Sequence, residues 1–139
     1  MKKIGLFSLL FICLLLVGCS STKRVVCNQK VSVIDVDMIM DFKDDVISYM
    51  GLKYTMDLSS YSDEQINLIK EQNICDTVKQ SMSAYADAFT NCKQNIDNKK
   101  LLVTADFDID KIPGSAEGKK ESMDQAIKEL EAQGYTCNK

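Results

Sequence analysis

Between residues 36 and 42 the chain reads VDMIMDF, and Val36, Met38, Met40 and Phe42 alternate with Asp37, Ile39 and Asp41. A period of two with apolar residues on one side predicts a half-buried strand. The preceding VSVI breaks phase between Val33 and Ile34, which predicts a bulge or a bend there. KDD at 43–45 reads as a turn, and Val46, Met50, Leu52, Tyr54, Met56 and Leu58 then share a face, so the segment forms an antiparallel hairpin.

The pattern changes at SSYSDEQI. Ser62 is placed to cap a helix, Gln65 to complete the capping box, and Tyr61 with Ile66 to staple its start. Cys75, Val78, Met82, Tyr85 and Phe89 follow at steps of three and four, the spacing of a helix face turned to a sheet. EQN at 71–73 interrupts that pattern and marks either a kink or a boundary between two shorter helices.

A second hairpin is predicted from strand 92–96, the turn DNKK and strand 101–109, with Leu101, Val103, Ala105, Phe107 and Ile109 inward. Pro113 opens a polar loop. Ser122 caps a last helix with Gln125 as its capping-box partner, Ala126, Ile127 and Leu130 form its apolar stripe, and Gly134 stops it. The same units thus occur twice: cysteine, hairpin, serine-capped helix, then glutamine and cysteine. The expected fold is a two-layer α+β domain, ββα-ββα, with an antiparallel sheet from two hairpins packed against helices and braced by disulfides.

The first residues have a different character. Lys2 and Lys3 precede an almost wholly apolar run from Ile4 to Val17, followed by Gly18 and Cys19. A run of 14 residues is short of the roughly 20 that span a ~30 Å hydrocarbon core. LVGC matches a bacterial lipobox, in which cleavage falls before the cysteine and its sulfur carries a diacylglyceryl group. Residues 1–18 are therefore expected to be a lipoprotein signal peptide, residues 19–26 a lipidated Cys19 with a short tether, and residues 27–139 a single domain. Two or more acyl chains, at ~0.8 kcal/mol per buried methylene, would hold the chain on the extracytoplasmic face of the membrane.

Removing residues 1–18 takes Lys2 and Lys3 from 17 basic residues, leaving 15 against 20 acidic ones and a net charge of −5. An acidic domain without a basic stripe argues against nucleic acid as a partner, and membrane attachment then rests on the anchor.

Six cysteines stand at 13, 19, 27, 75, 92 and 137. Cys13 leaves with the signal and Cys19 carries lipid, so four remain to pair in an oxidising compartment. Zinc needs closer spacing than the gaps of 48, 17 and 45 residues here, and the chain has no histidine. Following strands and helices from end to end of the sheet brings Cys27 and Cys137 to one end. A helix finishing near residue 86 carries Cys75 about 16 Å back, and a reversing strand from 88 returns Cys92 about 13 Å. Cys27–Cys137 with Cys75–Cys92 is the favoured connectivity of the three possible.

Little in the chain suggests catalysis. Without histidine a serine or cysteine triad has no base, and no phosphate loop, G-x-S-x-G or S-x-x-K string occurs. No enzyme and no cofactor are expected. Asp106, Asp108 and Asp110 alternate, as do Asp35, Asp37 and Asp41, and such rows of carboxylates could attract Ca²⁺ or another hard cation. Ligands on a regular strand diverge, however, so a solvated face is preferred and a calcium or small-solute site is the alternative. An enzyme with a carboxylate or lysine base is a third reading. The methionines at 38, 40, 50, 56 and 82 read as core filler.

The lipobox, VDMIMDFKDDVISYMGLKYTMDLS, KKLLVTADFDID and the ending AIKELEAQGYTC together resemble the YehR-like family of small bacterial lipoproteins. The resemblance spans essentially the whole processed chain. It implies a lipid-anchored α+β domain and brings no catalytic or ligand residues. The function expected is a cell-envelope lipoprotein whose domain binds an unknown protein or small ligand, with the membrane as its other partner.

Overall fold

The computed structural model describes residues 21–113 and 122–138. The expected signal peptide, Cys19 and most of the loop after Pro113 lie outside those residues. The elements run β1 (Thr22–Val31), β2 (Ile34–Lys43), β3 (Val46–Asp57), α1 (Asp63–Glu71), α2 (Ile74–Ser81), β4 (Phe89–Asp97), β5 (Lys100–Phe107), α3 (Met123–Ala132) and β6 (Thr136–Cys137). Short 3₁₀ turns occupy Ser83–Tyr85 and Ile109–Lys111. The six strands form one sheet in the order β4-β5-β3-β2-β1-β6, antiparallel at every pairing.

The α+β class and the antiparallel sheet agree with the sequence reading, but the repeated hairpin plan does not describe the first half. Residues 22–26, expected within a tether, form the first half of β1, which pairs with β2 along its whole length. Val25 and Cys27 point into the core while the rest of β1 is mostly exposed, so the strand carries only a weak apolar pattern. The phase break at Val33 is the turn between these strands, where Ser32 takes φ 56°.

Met38, Met40 and Phe42 are buried as expected. The turn after them places Asp44 and Asp45 at φ 52° and 60°, the left-handed pair that lets a two-residue hairpin follow the sheet twist. A bulge then shifts register, so that Phe42 faces Ile47 while Asp41 faces Tyr49. Ser48 is the extra residue, and its hydroxyl donates to the Asp41 carbonyl at 3.0 Å. The bulge puts Ile47 in the core in place of Val46, which the unbroken alternation had predicted.

Ser62 and Gln65 form the predicted capping box at the start of α1, whose Ile66 is buried. The interruption at 71–73 is the boundary between two shorter helices, one of the two alternatives read there, and the second helix ends at Ser81 rather than near residue 86. Asn73 caps α2 through Asp76, and Phe89 belongs to β4. Two core clusters result. The larger joins Val25, Met38, Met40, Phe42, Leu52 and Phe107 with Ala126 and Ile127 of α3, and the smaller joins Leu58, Ile66, Leu101 and Val103. Phe89 stands edge-on to Phe107 at 5.5 Å. Each such buried side chain contributes roughly 1.5–3 kcal/mol.

Candidate functional site

The three helices among the described residues pack against the inward-facing residues of the sheet. Five spacings of about 4.8 Å separate β4 from β6, about 24 Å in all. Helices about 10 Å across that are held at the two edges leave the middle strands open between them. That arrangement occurs here, with α2 against β4 and α3 against β1 and β6.

A cleft of about 290 Å³ occupies the gap. Its floor is Met38 of β2 with Met50 and Leu52 of β3. One wall is Val78 and Ser81 of α2 with Met82 just after it, and the other is Leu130 of α3 with Gln133 and Tyr135 just after it. Among the described residues no charged side chain lines it; Ser81, Gln133, Tyr54, Tyr85 and Tyr135 are its polar members. Burial pushes the hydroxyls of Tyr54 and Tyr135 above the usual tyrosine pKa, Tyr54 with a smaller contribution from Tyr61.

Each wall has a local cause. Gly134 ends α3 at φ 93°; its N–H donates to the Glu131 carbonyl at 3.1 Å and that of Tyr135 to Leu130 at 3.0 Å. These are the two bonds of a Schellman ending, and they fold Tyr135 back beside Leu130. The Ser122 hydroxyl accepts from the Gln125 N–H at 3.4 Å, while Gln125 Nε2 donates to Glu129 at 3.3 Å. On the opposite wall α2 buries no residue fully. It is held by Gln94 of β4, whose Oε1 accepts from the N–H groups of Ile74 at 2.8 Å and Cys75 at 3.3 Å. Gln94 Nε2 donates to the Gln72 carbonyl at 2.8 Å. Nothing in the sequence around Gln94 signals this bracket, because its partners lie about 20 residues away.

The described cysteines pair as Cys27–Cys137 and Cys75–Cys92, the connectivity favoured from the strand order. Cys27 and Cys137 face each other across β1 and β6. Cys75 enters from the first turn of α2, so the pairing is reached with a shorter helix than the one expected.

The aspartate row does not persist as a row. β5 ends at Phe107, and only Asp106 stands on the outer face, where its carboxylate accepts from the Tyr49 hydroxyl at 2.7 Å and from Asn91 Nδ2 at 3.3 Å. Asp108 caps the 3₁₀ turn that contains Asp110, accepting from the Asp110 N–H at 3.2 Å, and pairs with Lys111 at 3.3 Å. In the other row Asp41 accepts two bonds from Arg24 at 2.7 and 2.8 Å, and Asp37 accepts from Asn28 at 2.6 Å and lies 3.8 Å from Lys53. Among the described residues no three metal-ligating side chains converge.

The outer face also explains one glycine. Gly51 pairs with Asp106 across β3 and β5, and the Tyr49 ring lies over it to reach that carboxylate. A Cβ at Gly51 would overlap the Tyr49 hydroxyl. The bond to Asp106 first, and burial second, push the Tyr49 pKa up, so this hydroxyl is a donor and is poorly suited to act as a nucleophile. The hydrogen bond from Arg24 holds the Asp41 carboxyl below its ordinary range, against a smaller opposing effect of burial.

No protein-family model and no curated protein matches the chain. Among solved structures, the NMR structure of a protein from Streptococcus pneumoniae TIGR4 is similar, with a TM-score of 0.50 over 86% of this chain and 87% of that one at 15% identity. At that identity the likeness concerns the fold alone.

Proposed function

We propose that the chain is a lipid-anchored envelope lipoprotein of the YehR-like kind. Its domain works by binding, without catalysis, and the cleft between α2 and α3 takes a small, neutral, largely apolar ligand. The uncharged lining of the cleft carries this reading. An ionised ligand would lose its hydration there with no opposite charge to replace it, at a cost of several kcal/mol, whereas apolar surface gains about 25 cal/mol per Å² removed from water. A volume of about 290 Å³ falls just below the ~300–1,000 Å³ usual for ligand sites, which limits the ligand to a small one. Met38, Met50 and Met82 add an adaptable surface that reshapes around different ligands.

The anchor rests on the lipobox, and no helix among the described residues is long and apolar enough to cross a membrane. Binding without catalysis is supported by the polar groups outside the cleft: the four described cysteines are in disulfides, and Tyr49 is held as a donor. The calcium alternative draws no support from the aspartates, which are engaged with neighbouring side chains and backbone.

Two experiments test the reading. Cys19→Ser should abolish metabolic labelling with palmitate; continued labelling would refute the anchor. For the cleft, the full chain in lipid vesicles is photolysed with a neutral alkyl diazirine and the adducts are mapped by mass spectrometry. Adducts should concentrate on peptides containing Met50, Met82 and Leu130 and fall severalfold in Ser81→Trp, which fills the mouth. Adducts spread over the outer face of the sheet, or indifferent to Ser81→Trp, would contradict it.

A further inference from the structure

We propose that the Cys75–Cys92 disulfide is a reducible latch on the cleft, which a dithiol reductant outside the membrane opens to release α2 from the sheet. The inference rests on the binding reading for its purpose, since α2 is one wall of the site.

Three observations carry it. First, α2 is held lightly: none of its eight residues is fully buried, and its attachment rests on the half-buried Ile74 and Val78, on Met82 just after it, on the Gln94 bracket and on the disulfide. Secondly, both latch cysteines are only partly buried, whereas the other disulfide has one partly buried member, Cys137, and its Cys27 is 0% exposed within the main core. Thiol–disulfide exchange requires a thiolate to reach a sulfur, so Cys75–Cys92 offers two partly exposed residues to attack and Cys27–Cys137 one. Thirdly, the elements joined by Cys27–Cys137 stay joined without it. β6 pairs with β1 by its backbone, the Asn138 N–H donates to the Val26 carbonyl at 3.0 Å, and α3 buries Ala126 and Ile127.

The exchange balances within the reductant and the latch. One reductant thiolate attacks a latch sulfur, forming a mixed disulfide and expelling the other cysteine as a thiolate, which takes a proton. The second reductant thiol then attacks the mixed disulfide, frees the remaining cysteine and closes the reductant's own disulfide. Two electrons and two protons pass to the protein. The α2 wall then loosens while the Met38 and Met50 floor stays in the sheet.

The test uses the full chain in lipid vesicles under stepwise addition of dithiothreitol, with free thiols alkylated and mapped at each step. Cys75 and Cys92 should be alkylated while Cys27–Cys137 remains closed. Amide exchange over residues 74–81 should then rise about tenfold or more, as expected of a locally released helix, with residues 22–43 unchanged. Labelling of the cleft by the neutral diazirine should fall with it. Cys75→Ser combined with Cys92→Ser should reproduce the loosened α2 without reductant. Opening of Cys27–Cys137 first, unchanged exchange over 74–81 after latch reduction, or loosened exchange with undiminished labelling would each overturn the latch. A failure to label the oxidised chain counts instead against the binding reading, and the latch is then decided by thiol mapping and exchange.

Discussion

The two edges of the sheet are each closed by a disulfide, yet they are built on different principles. At the β1/β6 edge the disulfide lies inside a strand pairing, with Cys27 buried and α3 packed over it. At the β4 edge the disulfide joins a strand to a helix that has no buried residue of its own. One cross-link reinforces contacts that exist already; the other supplies much of what holds its helix. A disulfide's effect on the whole chain and its effect on local order are therefore separate quantities.

That comparison can be broken by removing each cross-link. The largest effect should come from Cys27→Ser with Cys137→Ser, which opens a ring spanning 110 residues and should cost about 5 kcal/mol in a urea melt. Opening the 17-residue span of Cys75–Cys92 should cost less, about 3 kcal/mol. The reverse order would show that the edges do not differ as described.

A smaller perturbation sharpens the β4 side alone. Gln94→Ala leaves the disulfide in place but takes three hydrogen bonds from the chain entering α2. Stability should drop by about 1–2 kcal/mol, with increased amide exchange over residues 72–78 and none added in β1. Midway between the edges, Gly51→Ala should displace Tyr49 from Asp106 and cost about 1 kcal/mol. Tyr49→Phe should cost about the same, and the two changes together no more than either one, as a thermal-melt cycle would reveal.

The smallest effect belongs to the β1 side. Asp41 is held below its ordinary pKa by Arg24, so the pair's contribution is present above the unfolded carboxylate value near about 4. It is lost as pH falls through the lower folded value, and for a surface pair it amounts to less than about 1 kcal/mol. In Asp41→Asn that part of the acid-limb slope should vanish, without change at the β4 edge.

The sequence was legible where pattern and local chemistry agree. Met38, Met40 and Phe42 alternate within one strand, Leu101, Val103, Ala105 and Phe107 do the same within another, and Ser62 with Gln65 caps a helix through bonds three residues apart. It was less legible where distant partners decide. β1 contributes little apolar surface of its own, and its place is set by pairing with β2 and β6. The interruption at 71–73 was visible as a kink or a boundary, but what makes it a boundary is distant: Gln94 completes the start of α2 from another element. The bulge at Ser48 cannot be seen in an alternation that continues through it, and it exchanged Val46 for Ile47. The aspartates were misjudged by a few residues of strand length, since β5 ends at Phe107 and Asp108 turns to cap.

The cleft is the furthest from the sequence. Its methionines are ordinary inward residues of their elements, and the opening arises because two helices are tied to opposite edges of a wide sheet. No local signal encodes a gap between elements, although the light packing of α2 is visible in its short apolar stripe.

The Cys27–Cys137 bond has a mechanical consequence. A force applied between residues 22 and 138 reaches the covalent bond after only a few residues of strand at either end. The chain between the two cysteines, which are separated by 110 positions in the sequence, then carries no tension, so the domain behaves as a short inextensible link that transmits load without unravelling.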